Sequence, residues 1–501
     1  MGKYQRQVGD IVELTDEGIA KIKQYKNNYT ESTRPIFAKE RDWSAWSMGN
    51  LWIGMLVSIA VYQVASGLIV AGMAWYEALF TIVLGHTLVM AFAVILGHFG
   101  TKYGLNFPML CKMAFGTKGI IVPALIRGIL GCFWFGVQAW IGGQAVNAII
   151  GTIVPSWKGF GFVGLFISFL IFWLMNVYIA ASGSRAVKAL QGYSAPVLIV
   201  LSFIVIIWGL STANWSFSSL LAEPSLQGNP NSNFWLLFWP ALSAMIAFDA
   251  GIALSMADFT KHSKSQKSQM LGQIVGAPFM TAFISFVGIC GTAGAAIAFN
   301  ESIWEPAVLV SRFDNPFIVI LFSLFIIMAV LTTNVAANLV PPTNVLATLL
   351  AKKISYKTAS FIAALLALIG QPWKTLATPD ALIFEVLGVL GALLGPISGI
   401  FVVSYLFAHR MKVDLVSIYR EDGGKYYYIK GWNIELIIIL LLGTIAVLLG
   451  KFIPSFQFIF NNSYVLGSVG AGFIYYVYLK ISKSDIKMAL EDNHDQETIS
   501  Y

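Results

Sequence analysis

Trp134-Phe135-Gly136-Val137-Gln138-Ala139-Trp140 lies inside an apolar run that extends from 120 to 150. At about 1.5 Å of rise per residue, such a run is long enough to cross a bilayer as a helix. Trp134 and Gln138 are four apart, so a helix puts them on one face, one turn above the other. No water is present in a bilayer core to satisfy the Gln amide. An indole plate and a planar amide on one face therefore suit a flat ligand that stacks and hydrogen-bonds at once. The pair equally suits helix packing, with the amide bonding a neighbouring helix, and the stretch by itself leaves both readings open.

Runs of this kind recur along the whole chain. Its 501 residues are 57% hydrophobic and 11% charged, with a mean hydropathy of +0.73, which excludes a string of soluble domains. Twelve segments read as membrane helices, at about 47–71, 77–97, 120–150, 160–181, 194–211, 234–257, 270–298, 316–350, 357–373, 380–408, 432–450 and 464–481. The fold class is an all-α polytopic membrane protein, with polar tails at 1–46 and 482–501 around a domain at 47–481. Charge tests the count, because Lys and Arg accumulate in short cytoplasmic loops. With both termini cytoplasmic, 28 of the 32 Lys and Arg fall inside, and only Lys158, Arg312, Lys374 and Lys451 fall outside. The net charge of +7 is then a topological signal and implies no nucleic-acid partner.

No apolar core leading to a cleavage site precedes the first segment, so that segment is expected to target the chain. Cys111, Cys132 and Cys290 have no paired spacing and read as packing residues. Nothing in the sequence suggests a nucleophile, a metal cluster or a basic active-site loop. Neither an enzyme nor an organic cofactor is indicated.

The informative residues are the polar ones at membrane depth. In Asn50 to Gly67 the middle is small and mildly polar, with Gly54, Ser58, Gln63, Ser66 and Gly67, which lets a helix unwind and expose carbonyls. The stretch 97–119 is too apolar to be solvated and is expected to pack against the inner face. Asp249, in Ala247-Phe248-Asp249-Ala250-Gly251-Ile252, sits near mid-membrane, where a carboxylate costs roughly 2.5–3.5 kcal/mol. It is either half of an ion pair or a ligand for substrate, proton or cation. Asp258, beside Lys261 and His262, reads as a surface residue.

In the eighth segment Ala329, Thr332 and Thr333 stand at i, i+3 and i+4, so one carbonyl and two hydroxyls converge as oxygen ligands for a hard cation. Those hydroxyls can instead bond back to their own helix. Asn338 returns to about the same face, and Pro341-Pro342 is expected to bend or end the helix. His86 reads as packed or bonded to a neighbour, Glu385 as facing the outer loop, and Gly391 to Gly399 with Pro396 as a bend.

Segments 47–211 and 234–408 form two halves of five helices, and 432–481 adds two more. The first half starts from inside and the second from outside. Inverted repeats of this kind bind their cargo at mid-membrane, where the first helix of each repeat is interrupted. Ser58 and Asp249 are expected at those two interruptions.

Trp134-Phe-Gly-Val-Gln138-Ala-Trp140, Thr332-Thr-Asn-Val-Ala-Ala-Asn338 and Asp258-Phe-Thr together resemble the nucleobase:cation symporter-1 family, over about Trp46 to Tyr419. The resemblance implies the five-plus-five inverted-repeat fold of the leucine transporter. It also implies coupling to sodium or protons, and cargo among purines, pyrimidines, hydantoins, allantoin and related heterocycles. Carried over by position, it makes Trp134 the stacking plate and Gln138 and Asn338 the amides that read the ring edge. Ser58 falls where relatives have an Asn or Gln, and Leu387 matches a residue that closes over substrate. The sodium ligands would be the carbonyls of Gly54, Val57 and Ala329 with the hydroxyls of Thr332 and Thr333.

The chain departs from the hydantoin carriers where Asp249 replaces a second Trp and Phe248 replaces a Gly. That exchange should favour a ligand that donates hydrogen bonds or carries positive charge, or else supply the site of the coupling proton. The sequence thus reads as a plasma-membrane symporter, expected to be monomeric, that imports a planar heterocycle by alternating access. A carrier of a cationic amine or vitamin on the same fold is the alternative.

Overall fold

The computed structural model describes the chain apart from residues 1–2, 26–27, 30–32, 57, 183–198, 230–232, 351–353 and 483–501, and apart from the side chains of 53, 54, 336, 348 and 349. Nearly all of the expected C-terminal tail, the start of the fifth segment and Val57 thus lie outside the described residues.

The described residues between 3 and 44 form a folded cap, where their polarity suggests a solvated tail. Strands β1 (Gln5–Val8) and β2 (Ile11–Leu14) pair antiparallel, with Gly9 turning at φ 63°. Ile11, Val12 and Leu14 are buried, and helix α1 (Asp16–Ile22) follows, started by Thr15 Oγ1 accepting from the Gly18 amide at 3.2 Å. Glu13 is buried, yet it accepts from Arg6 at 2.8 Å and from the Ala38 amide at 3.1 Å. Arg41 donates to the carbonyl of Thr101 and so ties the cap to the membrane domain.

The first membrane segment is broken. Helix α2 (Ala45–Leu56) ends before Ser58, whose backbone is extended at φ −133°, ψ 151°, and α3 (Ile59–Val70) begins with Ser58 Oγ accepting from the Val61 amide at 3.4 Å. The serine thus supplies an acceptor that the broken helix has lost. Helix α4 (Trp75–Tyr103) leads to α5 (Phe107–Phe115), the short packed segment expected between 97 and 119. Then come α6 (Ile121–Ile153), α7 (Gly161–Ala181), α8 (Ile199–Thr212) and the short loop helix α9 (Phe217–Leu221).

In the second half, α10 (Phe234–Leu254) runs unbroken through Asp249 and stops at Ser255, with α11 (Ala257–Thr260) beyond. The expected interruption at Asp249 is therefore displaced to Ser255–Met256. Ser255 Oγ donates to the Gly251 carbonyl at 3.0 Å and accepts from Arg127 of α6 at 3.1 Å, which holds the break. Asp258 also corrects its surface reading: its carboxylate accepts from the Phe107 amide at 2.7 Å and so caps α5.

Helices α12 (Gln266–Phe299), α13 (Pro306–Val310) and α14 (Pro316–Thr333) follow. A wide π turn over Asn334–Leu339 joins α14 to α15 (Val340–Leu349). Pro341 and Pro342 fall in the first turn of α15, where their missing N–H groups leave no bond unmade, and the helical stretch Pro316–Ala347 continues through them. The remaining helices are α16 (Tyr356–Leu366), α17 (Pro372–Thr375), α18 (Leu387–Val403, entered through a π turn at Ala381–Val386), α19 (Ile434–Leu449), α20 (Gln457–Asn461) and α21 (Ser463–Ser482).

Among the described residues 8 helical stretches are long and apolar enough to cross a membrane; α19 and α20 form one bent pair, and α3, α8 and α16 are shorter apolar helices. They fall one to each of the twelve runs of the sequence. Helix α6 packs against α7, α14 and α15, while α10 packs against α4 and α18. The approach to α7 depends on a missing side chain: a Cβ on Gly143 would lie 2.5 Å from the Phe169 Cα.

Candidate functional site

Helix α6 is continuous through its aromatic stretch, so Trp134 and Gln138 do share a face. The Trp134 ring meets Phe248 of α10 at 4.8 Å between centroids and 66° between planes, an edge-on contact. The indole is 8% exposed. One turn on, Gln138 Oε1 is buried without a hydrogen-bond partner. A buried amide oxygen left unpaired costs about 1–3 kcal/mol, which is a reason to look for a ligand at that position.

Asp249 follows Phe248 and points at α4. Its Oδ2 lies 3.3 Å from His86 Nε2, and both residues are 1% exposed. His86 Nδ1 lies 2.8 Å from the Ile82 carbonyl. A carbonyl only accepts, so Nδ1 must carry the hydrogen. His86 Nε2 is thus left facing the Asp249 carboxyl at ion-pair distance, but neither Nε2 nor either carboxyl oxygen has a partner in hydrogen-bond geometry. The ring of Phe248 sits 6.0 Å from that of His86, so plate, carboxyl and imidazole form one connected group.

Asn338 belongs to a second group. Its Nδ2 donates to Asn334 Oδ1 at 3.0 Å, and Asn334 Nδ2 donates to the Phe135 carbonyl at 3.2 Å. The π turn thereby hangs from α6 beside Trp134. The third group is on α14: Thr332 and Thr333 both donate to the Ala329 carbonyl, at 2.9 and 2.8 Å. Both hydroxyls thus bond back to their own helix, the second of the two arrangements the sequence left open. Val57 lies outside the described residues, and of Gly54 only the helical backbone is described. Ser58 is engaged at the α2–α3 break by the Val61 amide, and Leu387 is fully buried at the start of α18.

Three residues of this region are not singled out as site residues by the sequence, although it reads His86 as packed or bonded to a neighbour, as it is. Asn334 is fully buried and links Asn338 to α6; its spacing of four from Asn338 was the available signal. His86 is the partner of Asp249, and nothing in one sequence pairs α4 with α10. Gln63 is 1% exposed with both amide atoms unpartnered. It sits one turn before Gly67, where a Cβ would touch Ile383 at 3.0 Å and Trp304 at 3.8 Å. Its sequence signal was an amide directly after a helix break.

Glu385, read as facing the outer loop, is an exposed residue of the π turn that enters α18, with Lys451 at 3.8 Å. Cys111, Cys132 and Cys290 are buried and free. No group of three or more His, Cys, Asp or Glu placed to hold a metal occurs among the described residues.

Against known proteins, the model of the family described as permease for cytosine/purines, uracil, thiamine, allantoin matches residues 35–467. The chain is 32% identical over 485 residues to the purine-uracil permease NCS1 of Arabidopsis thaliana, covering 93% of this chain and 80% of that one. It is 29% identical over 469 residues to the allantoin permease of Bacillus subtilis, covering 92% and 95%. The inward-facing conformation of Mhp1 superposes with a TM-score of 0.77 at 21% identity, over 91% of this chain and 94% of that one. That likeness speaks for the fold, the five-plus-five inverted repeat with two further helices.

Proposed function

The chain belongs to the family of permeases for cytosine/purines, uracil, thiamine and allantoin, and from that premise we propose that it is a symporter importing a planar nitrogen heterocycle into the cell. It is a multi-pass membrane transporter and not an enzyme. The observation that carries the proposal is the α6 face, where the Trp134 plate stands one turn from a buried amide oxygen of Gln138 that has no partner. A flat ring that stacks on the indole can donate an N–H to that oxygen. The purine-uracil and allantoin permeases among its relatives are named for cargo of this shape.

Each residue then has a task. Trp134 stacks on the ring, Gln138 and Asn338 read its edge, Ser58 faces it from the break in the first segment, and Leu387 closes over it. Phe248 orients the plate through its edge-on contact. Asp249 is the element that selects among rings. Its carboxyl favours an amino-bearing or protonated heterocycle, and a cationic vitamin or amine would exploit the same group. The coupling ion is sodium or a proton. For sodium the ligands are Ala329, Thr332 and Thr333 with Gly54 and Val57; for a proton the carrier is the His86–Asp249 pair. We place the protein in the plasma membrane as a monomer with both termini cytoplasmic, following its Lys and Arg distribution.

The test is uptake, or thermal stabilisation of the purified protein, with purines, pyrimidines, hydantoins, allantoin and cationic vitamins, each with and without sodium. At least one planar heterocycle should act, and Thr333→Ala should abolish any sodium stimulation. If no ring competes while an aliphatic amine does, the proposal fails.

A further inference from the structure

The segment between α12 and α14 carries a carboxyl group that the transport site does not use. Glu305, just before α13, is 8% exposed. Gln144 of α6 donates from Nε2 to Glu305 Oε2 at 2.7 Å, while Gln144 Oε1 is buried and has no partner. An ionised carboxylate can only accept, so it cannot satisfy that oxygen. A protonated acid can, since an acid and a primary amide pair through two antiparallel hydrogen bonds.

We propose that Glu305 and Gln144 form a proton-binding latch: a proton on Glu305 is donated to Gln144 Oε1, and the closed pair fixes the α13 segment against α6.

The surroundings leave the pair to itself. On α6 no ionisable side chain follows Cys132, and α8 and α14 carry none. Glu301 and Arg312, at the two ends of the segment, pair with each other at 2.6 Å and are exposed. Asp314 follows them, and Lys374, Asp380 and Glu385 belong to the neighbouring outer stretch, where Glu385 faces Lys451. Burial pushes the Glu305 carboxyl up from its ordinary 4.5 to about 7, against the pull of the Gln144 N–H.

The docked segment also has something to cover. Trp304 lies over Gly67 of α3, one turn above the unpartnered Gln63. Ile303 and Leu309 join Trp208 and Phe313 in a small hydrophobic cluster of their own. Ala307 and Val310 of α13 pack into the main core beside it.

The sign follows from linkage. Docking raises the affinity of Glu305 for a proton, so docking is strongest below pH 4.5, weakens as pH rises to about 7 and is flat beyond it. One proton changes the docking equilibrium by at most about tenfold per pH unit within that window.

The experiment uses the full-length protein in detergent, so it depends on neither cargo nor membrane orientation. Ala307 is buried in α13 and Ser311 just beyond is exposed. Ala307→Cys and Ser311→Cys are modified with a soluble maleimide from pH 4.5 to 8, and the ratio of their rates cancels the titration of the thiol itself. The latch predicts a ratio that climbs with pH and levels off above about 7. In a Glu305→Gln background, where a neutral amide stands in for the protonated acid, the ratio should stay low and flat. A flat ratio in the unsubstituted background overturns the latch, as does an unchanged slope in Glu305→Gln.

Discussion

The two interrupted segments, the first and the sixth, handle polarity in opposite ways. At the first, the chain itself opens between α2 and α3, and Ser58 sits in the gap. At the sixth, the break comes at Ser255–Met256, and Asp249 stays inside an intact α10. An open backbone offers carbonyls and amides to a ligand. An intact helix offers none, so whatever stabilises Asp249 must come from a side chain, and His86 is that side chain. The first segment therefore exposes backbone at its break, and the sixth relies on a side-chain contact between helices.

The largest effect should come from breaking the sixth-segment pair. His86→Leu leaves Asp249 buried without its partner and should cost about 3–5 kcal/mol, read as a fall in the thermal midpoint of the purified protein. Adding Asp249→Asn should recover part of that loss. If the double variant is no better than the single one, His86 supports the fold by packing and not through Asp249.

A smaller effect is expected on the shared face. Gln138→Leu removes the amide proposed to read the ring edge and should weaken cargo binding by about tenfold, the equivalent of about 1.4 kcal/mol, while the thermal midpoint of the cargo-free protein should hold or rise, because an unpaired buried oxygen is removed. Smallest of all is the first-segment break. Ser58→Ala removes the acceptor for the Val61 amide and should cost roughly 0.5–2 kcal/mol of stability, toward the low end since the bond is long at 3.4 Å. A loss there as large as that of His86→Leu would mean that the two interruptions are not different in kind.

The same contrast explains what could be read from the sequence. Segment lengths were legible because lipid imposes them, and the Trp134–Gln138 face was legible because helical spacing is local. Asp249 stood out by its charge, but its partner did not, since His86 is on a helix far along the chain and pairing between helices leaves no mark in one sequence. The break at Ser255 was missed because neither glycine nor proline marks it; a side-chain bond from Arg127 holds it instead. The N-terminal cap escaped for a similar reason. Its strands are four residues long and carry Arg6 and Glu13, whose charges look solvated until they are seen to neutralise each other.

The most direct test of the central claim is thermal stabilisation of the purified protein by planar nitrogen heterocycles, measured side by side for the unsubstituted chain and for Trp134→Ala. The account predicts that at least one ring raises the midpoint and that Trp134→Ala abolishes the rise, losing about 1–3 kcal/mol of stacking. A rise that survives Trp134→Ala, or a rise produced by aliphatic amines and by no ring, would contradict it.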